Sequence, residues 1–193
     1  MIPGDFLTAL LAEKILKKYS SSPIVYDARA SWAVPDLISA AGGRPLANRI
    51  GHMYIKKRME DEGAAFGGEV SGHYYFRDFY NADSSMAAAL LVLELVSESG
   101  KKLADLVAPL RKKYFISGEI NFEVKDQNAV IARLKEKYAD GKISYIDGVS
   151  VEYSDWHFNV RPSNTEPFIR LNLEAKTKKM MEEKKKEVEG VIE

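Results

Sequence analysis

The chain has 193 residues, of which 46% are hydrophobic and 29% are charged, a balance typical of globular proteins and not of disordered or collagen-like chains. Basic and acidic residues both number 28, so no overall positive field attracts nucleic acid. The absence of cysteine excludes disulfides, a thiolate nucleophile and a cysteine-based zinc site. No apolar run reaches the roughly 20 residues of a membrane helix, and no signal peptide is evident. We therefore expect a cytoplasmic protein that binds neither nucleic acid nor membranes.

Helix-like and strand-like segments alternate over the first 113 residues. Apolar residues spaced three or four apart indicate helices, and short apolar runs such as Ile24 to Tyr26 indicate buried strands. The expected elements are a helix over 6–16, a strand over 24–26, a helix that Ser31 caps, a strand over 44–47, a helix that Gly51-His52 opens, two extended runs within 65–76, a helix that Asp83 caps and a helix over 103–113. This order predicts a layered α/β domain with a mixed sheet over residues 1–113.

The pattern changes near Ser117-Gly118, which we interpret as the end of a linker over 114–118. Strands with alternating apolar and polar residues then dominate, and Asp147-Gly148 is a strong signal for a tight hairpin. The expected elements are strands over 120–124, 143–146, 149–153, 156–161 and 168–175, with a helix over 129–138 and a final Lys/Glu-rich helix. Residues 119–193 are thus predicted to form a small α+β domain with a mostly antiparallel sheet.

Two polar loops carry functional groups. The first loop, residues 67–73, contains Glu69 and Ser71 between glycines that allow a ligand to approach the backbone closely, and His73 follows the last of these glycines. An ionised Glu69 can accept hydrogen bonds from two neighbouring hydroxyls of a sugar. Taken alone, this loop also fits a hairpin turn with solvated polar side chains.

The second loop, residues 161–167, places two hydroxyls and one amide between two prolines and one guanidinium directly before the first proline. These donors are Arg161, Ser163, Asn164 and Thr165. A guanidinium fork suits phosphate, and successive backbone N–H groups in such a turn can form an anion-binding nest. A polar turn between two strands is the alternative, but few plain turns gather four donors of different kinds.

Together, Gly68-Glu69-Val70-Ser71-Gly72-His73 and Arg161-Pro162-Ser163-Asn164-Thr165-Glu166-Pro167 resemble two signatures of the α-D-phosphohexomutases, in the same order and at a similar separation. The resemblance covers essentially the whole chain, which resembles the last two of the four domains of this family. It implies that Glu69 and Ser71 bind the sugar, and we expect His73 to hydrogen-bond a further polar group of the sugar beside them. It also implies that Arg161, Ser163, Asn164 and Thr165 bind the phosphate that is not transferred.

Two more positions resemble active-site features of the family. Gly51-His52 resembles a glycine-histidine pair at a helix start, and Arg29 stands where relatives carry a basic residue that faces the transferring phosphate. The alternatives are a helix-terminal histidine that satisfies backbone groups and a surface ion pair for Arg29. His157 precedes the second loop on the same strand face as Arg161, and we expect it to be exposed.

Two family motifs are absent from this sequence. The family transfers a phosphoryl group from a phosphoserine loop and uses an Asp-Gly-Asp-x-Asp-Arg loop for magnesium, and neither string occurs here. The resemblance therefore implies Mg²⁺ and a hexose bisphosphate activator for a full-length enzyme, but no metal, cofactor or catalytic residue for this chain. We expect Met1 not to be the native start, and the missing N-terminal half to be a partner.

The resulting prediction is the substrate-binding C-terminal half of an enzyme that moves a phosphoryl group between C1 and C6 of mannose or glucose phosphate. We expect this chain alone to be inactive. A fragment of a phosphoglucosamine mutase is one alternative, although Asn164 and Val70 differ from the residues usual in that enzyme. A stand-alone phosphosugar-binding module without catalysis is the other.

Overall fold

The computed structural model describes residues 2–163 and 167–193. The chain forms two compact units, Met1–Lys112 and Lys113–Glu193. Most of the predicted linker, 114–118, is part of the first strand of the second unit, which begins at Phe115. The assignment of sugar recognition to residues 1–113 and phosphate binding to residues 119–193 stays a prediction. Within the described ranges, no helix is both long and apolar enough to cross a membrane.

The first unit is an α/β structure with a mixed sheet, as predicted. Its strands are β1 (Pro23–Asp27), β2 (Arg44–Asn48), β3 (Phe66–Gly68), β4 (Tyr74–Phe76) and β5 (Ala82–Asp83). Its helices are α1 (Gly4–Lys18), α2 (Ala33–Ala40), α3 (His52–Glu62), α4 (Ser85–Ser99) and α5 (Leu103–Lys113). The strand order is β2-β1-β3-β4-β5, with β1 parallel to β2 and β3, and with antiparallel β3–β4 and β4–β5 pairs. The parallel strands thus end at one edge of the sheet.

Two glycines in β3 allow helices to pack closely on both faces of this sheet. A Cβ atom at Gly67 would lie 2.9 Å from Sδ of Met59 in α3, and one at Gly68 would lie 2.4 Å from Oγ1 of Thr8 in α1. Consecutive strand residues point to opposite faces, so neither position tolerates a side chain without a shift of the helix. The chain therefore leaves β3 between two tightly packed helices, and the next residue is Glu69.

The second unit is a small α+β structure whose sheet is antiparallel throughout. Its elements are β6 (Phe115–Glu123), α6 (Gln127–Lys137), β7 (Lys142–Ser144), β8 (Val149–Glu152), β9 (Trp156–Pro162), β10 (Phe168–Ala175) and α7 (Lys178–Ile192). The strand order is β6-β10-β9-β8-β7. Alternate residues of the central strands, such as Phe158 and Leu171, pack with residues of α6 and α7, such as Leu134 and Val188. This core fixes the direction of β9, which leads into the second loop.

Two local predictions are wrong in detail. Ser84, not Asp83, caps α4, because its side chain accepts a hydrogen bond from the N–H of Ala87, whereas Asp83 Oδ1 accepts from the N–H of Tyr74 across the sheet. The predicted tight hairpin is a four-residue connection over 145–148, since β7 ends at Ser144. Gly148 has a φ of 66° and lies so close to Val160 and Arg161 that a Cβ would clash. The packing of β9 therefore determines this loop.

Candidate functional site

Glu69 lies at the carboxyl edge of the first sheet, where β1 and β3 run side by side. The residue is 3% exposed, and its carboxylate accepts hydrogen bonds from the N–H of Gly51 at 3.0 Å and from the hydroxyl of Tyr75 at 2.6 Å. Gly51 has a φ of 122°, a conformation that favours glycine. Burial and the hydrogen bond to Glu69 raise the pKa of Tyr75, so its hydroxyl stays protonated and donates. The carboxylate is therefore held in one position from two sides.

Ser71, His73 and His52 lie near this carboxylate, and their roles toward a substrate stay predictions. Ser71 Oγ lies 2.9 Å from Nδ1 of His73, which in turn lies 3.8 Å from Oε2 of Glu69. The rings of His52 and His73 are 4.5 Å apart between centroids, and the ring of His52 also meets Tyr75 at 5.4 Å. The start of α3 and the first loop thus bring hydroxyl, imidazole and carboxylate groups to one place.

Arg29 lies in a buried ion pair with Asp27, the last residue of β1. Its Nη2 and Nε are 2.9 Å and 3.2 Å from the two carboxylate oxygens, and the two side chains are only 6% and 0% exposed. The alternative interpretation, a surface ion pair, is correct about the ion pair but wrong about its location, since the pair is buried. Asp27 Oδ2 also accepts a hydrogen bond from the N–H of Val70 at 2.8 Å. This contact ties the end of β1 to the first loop, and a role for Arg29 toward phosphate stays a prediction.

The donor atoms of this region do not fit Mg²⁺, the metal that the resemblance implies for a full-length enzyme. Among the described residues, the metal-binding groups that lie close enough to share an ion are His52, Glu69 and His73, whose ligand atoms are within 4.8 Å of one another. They offer two imidazole nitrogens and a carboxylate, whereas Mg²⁺ prefers an octahedron of oxygens. These three side chains therefore do not form an Mg²⁺ site.

The second loop begins where β9 ends. The side chain of Arg161 is 14% exposed, and its Nη2 lies 3.6 Å from Oε2 of Glu119 in β6. Ser163 is buried, and its N–H donates to the carbonyl of Phe168, which closes the base of the loop. Asn164 and Thr165, also predicted to bind phosphate, lie outside the described residues, so their placement stays a prediction.

His157 differs from its prediction. Its side chain is 17% exposed, and Nε2 lies 3.6 Å from Oε2 of Glu174, a buried residue directly opposite on β10. An exposed strand histidine is therefore the wrong interpretation, because the neighbouring strand supplies a carboxylate that covers it.

Comparisons with known proteins identify the family. Residues 3–114 match the family described as phosphoglucomutase/phosphomannomutase, alpha/beta/alpha domain III, and residues 119–191 match the phosphoglucomutase/phosphomannomutase C-terminal domain. The chain belongs to the phosphohexomutase family. It is 46% identical to a protein of Xanthomonas campestris named "Phosphohexose mutases", over 91% of this chain and 40% of that protein. It is 43% identical to a phosphomannomutase of Methanocaldococcus jannaschii, over 100% of this chain and 42% of that protein.

A solved structure agrees with this assignment. A phosphoglucomutase/phosphomannomutase family protein of Burkholderia thailandensis superposes with a TM-score of 0.81 at 28% identity, over 99% of this chain and 41% of the other. This phosphohexomutase chain thus spans about 40% of the length of the relatives that it matches.

Sequence reasoning missed two residues that build the site of this phosphohexomutase chain. The hydroxyl of Tyr75 donates a hydrogen bond to Glu69. The carboxylate of Asp27 accepts hydrogen bonds from the guanidinium of Arg29 and from the N–H of Val70 in the first loop. A weak signal exists for Tyr75, which alternates with Tyr74 and Phe76 in the strand after the loop. No local signal exists for Asp27, because Val70, whose N–H donates to it, is 43 residues away in the sequence.

Proposed function

We propose that this chain is the substrate-recognising C-terminal part of an enzyme that transfers a phosphoryl group between the C1 and C6 oxygens of a hexose phosphate. The phosphomannomutase/phosphoglucomutase type is the form of this activity that the named relatives support. One observation carries the proposal. Glu69 is a buried carboxylate that two neutral donors hold at the carboxyl edge of parallel strands, beside Ser71 and His73.

The lone pairs of Glu69 show how this site can recognise a sugar. A carboxylate has about four acceptor positions, and the N–H of Gly51 and the hydroxyl of Tyr75 occupy two of them. Two positions remain, one for each hydroxyl of a neighbouring pair on a hexose. Ser71 and His73 can hydrogen-bond further hydroxyls, so the site recognises the sugar and not the phosphate.

Arg161 and the second loop would bind the phosphate group of the same substrate. A guanidinium binds phosphate by charge-assisted hydrogen bonds, which contribute more than neutral ones. Phosphoryl transfer depends mainly on positioning and on stabilisation of charge, so fixing the sugar and its distal phosphate is itself a catalytic contribution. The phosphoryl donor and Mg²⁺ belong in this proposal to the part that precedes domain III in relatives, and a hexose bisphosphate is the activator of the full-length enzyme.

NMR titration of the ¹⁵N-labelled chain tests this division. Glucose 6-phosphate and mannose 1-phosphate should shift the amide signals of residues 67–73 and those of Arg161 and Ser163, whereas inorganic phosphate should shift only the signals near Arg161. Sugar phosphates that leave residues 67–73 unshifted at saturation would refute the proposal.

A further inference from the structure

The cluster formed by His52, Glu69 and His73 has the composition of a transition-metal site. Glu69 is buried, yet of the lysines and arginines that the structure describes, none forms an ion pair with its carboxylate. A buried carboxylate is costly without a positive partner. Its open side faces two imidazoles, and each of the three residues offers one ligand atom within 4.8 Å of the others. A cation at this point would compensate the buried charge.

The distances require little movement. Three atoms that are at most 4.8 Å apart surround a central ion at no more than about 2.8 Å, so a shift of at most about 0.7 Å per ligand atom reaches the usual zinc distances of about 2.0–2.2 Å. His52 is exposed and His73 is half-exposed, so both rings have room to turn. The carboxylate of Glu69 needs no change of orientation, because Gly51 and Tyr75 already orient it as outer-shell partners orient a metal ligand.

We propose that His52, Glu69 and His73 bind one borderline divalent cation, with Zn²⁺ or Co²⁺ as the chemical type, and that the bound ion blocks the first loop for sugar. Imidazole nitrogens favour such ions over Mg²⁺, and a water molecule completes a four-coordinate site. The metal would occupy a lone pair of Glu69 that one of the two sugar hydroxyls needs, so metal and sugar exclude each other. The metal site stands on geometry alone, whereas the competition rests on the proposed function.

Calorimetric titration of the untagged 193-residue chain with Zn²⁺ tests the metal site directly. The chain has three histidines and no cysteine, so each histidine can be replaced in turn by glutamine. We expect one Zn²⁺ per chain, binding at least about tenfold weaker in His52→Gln and in His73→Gln. His157→Gln is the matched control and should bind within about twofold of the unchanged protein, since His157 faces Glu174 in the second unit. The visible absorption bands of bound Co²⁺ should likewise be weakened in His52→Gln and in His73→Gln and be retained in His157→Gln.

Failure takes two recognisable forms. Absence of saturable Zn²⁺ binding, or equal weakening by His157→Gln, would overturn the metal site. A second titration in saturating glucose 6-phosphate tests the competition and should weaken Zn²⁺ at least about tenfold. If Zn²⁺ binds at the cluster but the sugar phosphate does not compete, the blocking role is wrong and the metal site stands. Sugar-phosphate binding without Zn²⁺ binding would refute this inference and leave the proposed function intact.

Discussion

Glu69 and Arg161 differ in how their charges are placed, and this difference predicts different effects of removing them. Glu69 is buried and meets neutral donors, whereas Arg161 is a cation at the start of the second loop. Arg161→Ala should weaken glucose 6-phosphate and inorganic phosphate alike, by about tenfold or more, since a charge-assisted hydrogen bond contributes about 1.5–3 kcal/mol. Glu69→Gln should weaken the sugar phosphate and spare inorganic phosphate. Calorimetry with both ligands measures both effects.

A control separates loss of a phosphate ligand from loss of a positive charge. Arg133 is in the same unit, and its guanidinium donates to the carbonyl of Val191 at the end of α7. Arg133→Ala should therefore leave both affinities unchanged. If Glu69→Gln reduced inorganic phosphate binding as much as Arg161→Ala did, the assignment of one loop to sugar and the other to phosphate would be wrong.

The ion pair of Arg29 with Asp27 predicts a large effect on stability. Arg29→Ala leaves the completely buried carboxylate of Asp27 without its guanidinium, and breaking such a pair costs about 3–5 kcal/mol. Arg44 pairs with Glu62 at 2.8 Å but is half-exposed, so Arg44→Ala should cost at most about 1 kcal/mol. Urea unfolding followed by circular dichroism compares the two variants. Equal losses would show that burial of the Asp27 pair does not matter.

At the scale of elements, the space around two glycines, one in β3 and one in α7, predicts opposite effects of replacing them by alanine. Gly68→Ala places a methyl group 2.4 Å from Oγ1 of Thr8, which must displace α1 or the strand, and overpacking of this kind costs about 1–3 kcal/mol. Gly190 lies in α7 with open space around it, so Gly190→Ala should stabilise the chain by about 0.5–1 kcal/mol. Thermal unfolding of both variants measures whether each substitution lowers or raises the stability of the chain. A neutral Gly68→Ala would mean that the helix can move aside freely.

The elements also show where prediction from sequence reaches its limit. Hydrophobic periodicity is a local property, and it gave the alternation of helices and strands in the first unit and the antiparallel strands of the second. The cap at Ser84, the four-residue connection before Val149 and the burial of His157 depend on neighbouring strands that are distant in sequence. The first loop was predictable because its functional groups are consecutive. The hydrogen bond from Tyr75 to Glu69 was not predictable, because the direction of the Tyr75 side chain depends on the pairing of β4 with β3.

At the scale of the whole chain, chemistry and recognition are separable in the proposed enzyme. We propose that the two loops bind sugar and phosphate, but the sequence contains neither the phosphoserine loop nor the triple-aspartate loop that the resemblance implies for a full-length enzyme. In the proposed full-length enzyme, the reaction starts from a phosphoryl group on that serine. Binding energy from these loops can orient a hexose phosphate, but it cannot replace the group that donates the phosphoryl.

The 193-residue chain should therefore show no mutase turnover. A coupled assay with glucose 1-phosphate or mannose 1-phosphate, Mg²⁺ and a hexose bisphosphate should give the same rate as buffer. The complete phosphomannomutase of Methanocaldococcus jannaschii, assayed in parallel, controls for the coupling enzymes. Turnover that survives purification and that Glu69→Gln abolishes would contradict the prediction, since it would place the phosphoryl donor within these residues. Turnover that Glu69→Gln leaves unchanged would instead identify a contaminating mutase, because such activity does not depend on the first loop of this chain.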